Sequence, residues 1–177
     1  MKLLPPAAEV GFLGAAAMPA ELYFVTRSPV ALVGMGYPSR IDWSLLAAED
    51  VRHVVCLTHD EPPYDPAPLQ VHGIALQDMF ARTGGPDDPV AERERVHRAA
   101  AVVVGAVERG EGAAVHCRGG RGRAGTVLGV ALVQLGHDPQ RVVDYLDRLH
   151  RARGKDGWPE HPWQAGVVLA SPSSLDG

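Results

Sequence analysis

Short apolar runs of strand length alternate with helical stretches along this chain, and the alternation predicts an α/β fold: a single three-layer α/β/α domain around a central, mainly parallel sheet of four to five strands. Three observations carry that expectation. The apolar runs are bounded by Gly and Pro clusters, which punctuate strands. Two Asp-Pro pairs, Asp88-Pro89 and Asp138-Pro139, place an N-cap followed by a first-turn proline, which starts a helix. At 177 residues, 46% hydrophobic and 21% charged, the chain suits one substantial core, with no internal repeat and no second domain.

Residues 1–20, rich in Ala and Pro, read as a tail or draped segment. Residues 21–170 form the domain, and 171–177 a C-terminal tail. Strands are expected at 22–25 and 30–33 around Arg27-Ser28-Pro29, the second ended by Gly34, Gly36 and Pro38. Asp42 caps a short helix reaching Ala48. A buried strand follows at 51–57, then a proline-rich connection at 61–68 and another strand at 71–76. Gly84, Gly85 and Pro86 predict a mobile loop over 78–88. The helix opened by Asp88-Pro89 runs to about Arg109. Ala113-Ala114-Val115 ends a further buried strand. The almost wholly apolar stretch 126–135 is a buried helix stopped by Gly136. In the helix after Asp138-Pro139, Val142, Val143, Leu146 and Leu149 share one face, and residues 162–169 make a last short helix.

The chemistry lies between the central strand and the buried helix, in Val115-His116-Cys117-Arg118-Gly119-Gly120-Arg121-Gly122-Arg123. A thiol attacks phosphorus as thiolate, and nearby positive charge or a helix N-terminus lowers a cysteine from about 8.5 to roughly 3.5–7.5. Gly119, Gly120 and Gly122 let successive backbone N–H groups turn inward as an anion nest at the positive end of a helix dipole. Arg123 supplies a planar fork that holds two phosphate oxygens at once. This is a loop for attacking a phosphate ester, with Cys117 as nucleophile and residues 118–123 as the phosphate-binding segment. His116 reads as a residue that orients the loop rather than as a base. Arg118 and Arg121 exceed what one phosphate needs and suit a ligand with several; alternatively they face solvent or favour the Cys117 thiolate.

The segment 116–125 resembles the signature loop of the cysteine-dependent protein tyrosine phosphatase superfamily: His-Cys, five residues, Arg, with Gly120 and Gly122 three and five places after the cysteine. Outside the loop, residues 21–170 are similar to the small atypical dual-specificity phosphatases. The resemblance implies a general acid after a strand and before the long helix, where Asp78 stands, with Asp87 and Asp88 as competitors better suited to helix capping. It implies a water-positioning glutamine, for which Gln164 is the candidate, and a second cysteine able to form a protective disulfide with the nucleophile, for which Cys56 is the candidate, although a small cysteine buried in a strand is usually inert. It also points Arg118 and Arg121 toward the phosphoinositide phosphatase branch. One departure stands out. Ala124 occupies the place where the superfamily carries a Ser or Thr hydroxyl that supports the cysteine sulfur, and Thr126 lies two residues further on.

The expected activity is therefore hydrolysis of phosphate monoesters through a cysteinyl phosphate. A protein dual-specificity phosphatase comes first and a phosphoinositide, inositol phosphate or other polyphosphorylated metabolite phosphatase second. A phosphate-binding module with weak turnover is the reading from another class. No cofactor is expected. The eight histidines include no close pair with zinc-ligand spacing alongside cysteine or carboxylate, so a structural metal finds no support and none is expected. A net charge of −4 gives no general attraction to nucleic acid, and no run is long enough for integral membrane association. The partner is thus a phosphorylated protein or a small polyphosphorylated substrate. With two cysteines there is no disulfide framework, and a reactive thiolate suits the reducing cytoplasm.

Overall fold

A five-stranded sheet in the order β1-β2-β5-β3-β4 forms the centre of the computed structural model, which describes residues 22–173. The elements run β1 (Leu22–Thr26), β2 (Leu32–Met35), α1 (Trp43–Ala48), β3 (Val51–Cys56), β4 (Gln70–Gly73), α2 (Pro89–Glu108), β5 (Gly112–His116), α3 (Gly122–Gln134), α4 (Pro139–Ala152) and α5 (Pro162–Leu169). Only β1 is antiparallel to its neighbour; β2, β5, β3 and β4 are parallel. The fold class is the expected one. The tail expected at 1–20 lies outside the described residues. The C-terminal one is described over 171–173, and there Ser171 is buried and donates its hydroxyl to Val167 O, so the chain still packs on α5.

Strand boundaries shift by one to three residues from expectation, and two of the shifts have a clear physical reason. The second strand extends through Gly34 to Met35 instead of stopping at Gly34. Gly34 faces Tyr23 across the antiparallel pair, and a Cβ on Gly34 would lie 2.1 Å from Cζ of that ring. Here glycine makes room for a fully buried aromatic side chain and does not end the strand. At the other edge, β4 stops at Gly73 and does not run to Leu76. Beyond it the backbone stays beside β3 through isolated bonds, Ile74 N to Cys56 O (2.9 Å) and Leu76 N to Leu57 O (3.0 Å).

Strand alternation divides the core in two. Tyr23, Val25, Leu32, Val55, Ala113 and Val115 face the layer built from α2, α3, α4 and α5. Leu22, Phe24, Val33, Met35, Val54 and Ala114 face the thinner layer under Trp43 and Leu46 of α1. Helix α3 is apolar all round because it is buried all round: Val127, Leu128, Val130, Ala131, Leu132 and Val133 have no exposure. Each buried Val or Leu contributes about 1.5–3 kcal/mol relative to exposure, so this helix and its N-terminus are held firmly. The caps fall where local chemistry places them. Asp42 accepts from Ser44 N, Asp88 from Val90 N and Ala91 N, and Asp138 from Arg141 N.

Candidate active site

The parallel strands deliver their C-terminal ends to one edge of the sheet, and the central strand β5 ends there in His116. The chain then turns through residues 117–121 into α3. That helix begins at Gly122, earlier than the apolar run suggests, so Arg123 sits in its first turn. The turn is pinned from two sides. Tyr23 donates its hydroxyl to Gly120 O (2.7 Å), and Tyr37 N donates to Arg118 O (3.1 Å). Gly120 has φ +70°, and a Cβ there would lie 2.6 Å from Gly36 N, so both its conformation and its closeness to the chain after β2 require glycine. Gly122 is needed for space: a Cβ would come within 1.8 Å of the Glu160 carboxylate.

Cys117 is 3% exposed and lines a cavity of about 380 Å³ together with Asp78, Phe80, Arg118, Gly119, Arg123 and Glu160. Arg123 reaches from the helix turn toward the loop after β4, where Nη2 donates to Asp78 Oδ2 (2.8 Å) and Nη1 to Leu76 O (3.2 Å). The thiol, guanidinium and carboxylate expected from the sequence thus border one cavity. The other phosphate-loop residues divide. Arg118 and Gly119 line the cavity, whereas Gly120, Arg121 and Gly122 do not; Arg121 lines a second cavity instead. Arg121 donates Nε to Glu160 Oε1 (3.0 Å), with both side chains only 14% exposed.

The loop carrying Asp78 is tied at both ends. Gln77 Nε2 donates to Asp87 Oδ2 (2.7 Å) and Asp87 N returns a bond to Gln77 Oε1 (2.9 Å), while Arg82 Nη2 donates to Asp87 Oδ1 (2.7 Å). Glu92 of α2 accepts from Gln77 N (2.6 Å), and burial pushes the Glu92 carboxyl above its ordinary value. Hydrogen bonds from Arg82 and Gln77 hold the Asp87 carboxyl below the usual range. With Asp87 engaged in this clasp and Asp88 in capping α2, Asp78 is the carboxylate of the three that reaches the cavity. Asp78 Oδ1 accepts from Phe80 N (3.0 Å), a turn that leaves the Phe80 ring 68% exposed at the cavity rim.

His116 is fully buried, and its Nε2 bonds the Tyr64 hydroxyl. Burial, with the charge of Arg123 adding to it, pushes the imidazole down to about 4. A neutral ring with Nε2 engaged fits an orienting residue and not a base. Cys56 ends β3 and is the register partner of His116 in β5. Its Sγ lies 3.4 Å from Thr58 Oγ1, and both cysteines are free thiols. Burial opposes ionisation of Cys56, yet hydrogen bonds from Thr58, the His59 backbone and Tyr64 bring the thiol below its ordinary value.

Gln164 does not line the Cys117 cavity. Its Oε1 accepts from Glu160 N (2.9 Å) and His161 N (3.1 Å) as part of the α5 cap, and its buried Nε2 has no protein partner. Ala124 is fully buried, and the Thr126 hydroxyl donates back to Gly122 O (2.8 Å), so Thr126 does not replace the missing hydroxyl. Three participants escaped the sequence reading: Tyr64, Phe80 and Glu160. Phe80 alone left a signal, a large apolar residue in a polar loop two places after the candidate acid. Among the described residues, no group of His, Cys, Asp and Glu could hold a metal, and no helix is long and apolar enough to cross a membrane.

A family model described as "Swiss Army Knife protein, DSP-PTPase phosphatase domain" matches residues 23–158. A curated relative, the probable protein tyrosine phosphatase type IVA A of Dictyostelium discoideum, is 32% identical over 98 residues, or 51% of this chain and 54% of the relative. The match thus spans about half the length of that relative. Among solved structures, human DUSP28 gives a TM-score of 0.63 at 19% identity, covering 92% of this chain and 100% of that one. A mouse putative dual specificity phosphatase complexed with zinc tungstate gives 0.62 at 19% identity, covering 90% and 89%. PTPMT1 in complex with PI(5)P gives 0.53 at 20% identity, covering 78% and 87%. These structural likenesses share the fold.

Proposed function

This chain belongs to the DSP-PTPase family of cysteine-dependent phosphatases, and from that membership we propose that it dephosphorylates tyrosine, serine and threonine residues of proteins through a phosphocysteine formed at Cys117. The observation that carries the reading is the meeting of Cys117, Arg123 and Asp78 around one cavity. Arg123 and the loop N–H groups hold the phosphate, which takes the place of Asp78 on the guanidinium. The Cys117 thiolate attacks phosphorus, the P–O bond to the leaving group breaks, and Asp78 delivers its proton to that oxygen. Water then attacks phosphorus, the P–S bond breaks, and the thiolate returns while Asp78 takes the proton. The cytoplasm, as a reducing compartment, suits such a thiolate.

Protein substrates rank first for two reasons. The Cys117 cavity is small with an exposed aromatic rim at Phe80, which suits a side chain carried on a peptide, and Arg121 is already engaged by Glu160. A second reading, a polyphosphorylated metabolite, draws on the adjoining cavity of about 500 Å³, which Arg118 and Lys155 line. Phosphate release by the wild type and Asp78→Asn across phosphotyrosine peptides, phosphothreonine peptides and inositol phosphates tests both. Peptides should be turned over in preference. Asp78→Asn should cost about 100-fold on phosphothreonine, whose alkoxide needs the proton, and far less on an activated aryl phosphate. Preference for the inositol phosphates would favour the second reading, and an equal loss on all leaving groups would remove Asp78 from the acid role.

Ala124 adds a kinetic expectation. Without a hydroxyl beside the sulfur, expulsion of thiolate from the phosphocysteine is the slow step. Ala124→Ser should raise steady-state turnover by about tenfold, the worth of one hydrogen bond to a charged group, and shrink the burst seen in rapid-quench kinetics. An unchanged burst and steady state would count against it.

A further inference from the structure

Three arginines in one loop suggest three cations offered to ligand, but the structure treats them differently. Arg123 faces the Cys117 cavity with Asp78, which sits on a loop and is 44% exposed, as its counter-ion. Arg118 is exposed and lines both the Cys117 cavity and the adjoining one. Arg121 is committed. Its Nε donates to Glu160 Oε1 at 3.0 Å, its Nη1 donates to Gly157 O at 3.4 Å, and Asp156 lies 4.0 Å from the same Nη1.

Glu160 is fixed from several directions. Its backbone N donates to the buried Gln164 Oε1, its Oε1 accepts from Arg121, and its carboxylate packs against Gly122, where any side chain would strike it. A pair of preorganised, largely buried groups is costlier to separate than an exposed one. Glu160 also lines both cavities and so stands where they adjoin.

A ligand that seats one phosphate on Cys117 and carries another nearby would place the second anion in the adjoining cavity. Arg118, Arg121 and Lys155 line that cavity, but so do Glu160 and Asp156. The second anion therefore meets two carboxylates, one of them already bonded to Arg121. With Glu160 made neutral, Arg121 would lose its nearest carboxylate, and Asp156 would be the carboxylate left among the residues lining that cavity.

We infer that Glu160 is a specificity-determining residue whose carboxylate occupies Arg121 and withholds it from polyanionic ligands, restricting the site to isolated phosphate groups. The inference rests on the phosphatase reading for its meaning, but it concerns binding and is testable without turnover. A Cys117→Ser background allows titration calorimetry with inositol hexakisphosphate and with inorganic phosphate as probes. Adding Glu160→Gln should raise the affinity ratio of inositol hexakisphosphate to inorganic phosphate by about tenfold, as expected for removing one fixed negative charge a few ångströms from a multiply charged ligand. Adding Arg121→Gln as well should abolish the gain. Glu160→Ala should change the ratio in the same direction, which guards against a fault peculiar to one variant. An unchanged or lowered ratio, or a gain that survives Arg121→Gln, would overturn the inference. In parallel, a wild type that releases phosphate from no ester while the affinity ratio still shifts would defeat the phosphatase reading and leave the role of Glu160 standing.

Discussion

Replacing Cys117 with serine is expected to lower phosphate release by about 10⁵-fold, since the proposed covalent mechanism would lose its nucleophile and keep only the contribution of binding and positioning. The hydroxyl of serine is close in size to a thiol but yields its anion far less readily, and it is the anion that attacks phosphorus. The fold should hardly notice. Cys117 lies on a turn shaped by bonds that do not involve its side chain, the Tyr23 hydroxyl on Gly120 O and Tyr37 N on Arg118 O, with α3 anchored beyond it by its buried face. Phosphate release measured beside thermal unfolding separates the two effects. A variant that melts with the wild type and still binds phosphate but does not release it assigns the chemistry to Cys117. Substantial residual turnover would point to another nucleophile, and the only other thiol in the chain, Cys56, lies at the end of the neighbouring strand β3.

The parts of this site legible in the sequence are those whose physics is local. A cysteine and an arginine separated by five residues with glycines between them, after an apolar strand and before an apolar helix, specify a loop, its glycine at φ +70° and the direction of its helix within about twenty residues. The aspartate caps of α1, α2 and α4 are equally local, because a side chain bonding an N–H two or three places on depends on little else. What escaped depends on distance along the chain. Glu160 reaches Arg121 across 39 residues, and Tyr64 reaches His116 across 52 from a segment whose prolines show only that it is a connection. Gly34 misled for a related reason. It ends a strand by local rules, but the ring of Tyr23 fills the space its missing side chain leaves, and only the pairing of β1 with β2 shows that. The loop after Asp78 looks mobile from its glycines, and the Gln77 to Asp87 clasp that joins its ends spans ten positions.

Arg123→Lys should lower kcat/KM on phosphotyrosine peptides by about 10³-fold, roughly 4 kcal/mol of transition-state stabilisation. The loss should fall on kcat more than on KM. Arg123 uses its two terminal nitrogens at once, Nη1 on Leu76 O and Nη2 on Asp78 Oδ2. A phosphate arriving over Cys117 takes over that fork, and as charge spreads onto its equatorial oxygens in flight the two parallel bonds strengthen together. Lysine keeps the positive charge, so ground-state attraction survives. Its single ammonium on a flexible stem cannot span two oxygens, nor hold the Leu76 carbonyl while it does so. Because Arg123 and Asp78 are bonded to each other, Arg123→Lys and Asp78→Asn should not combine additively: the double variant should be less impaired than the product of the two single losses, as groups in direct contact share one interaction. A rise in KM with kcat intact would reduce Arg123 to an anion anchor that binds substrate and transition state alike. Strict additivity with Asp78→Asn would mean that the ion pair seen between them plays no part in the reaction cycle.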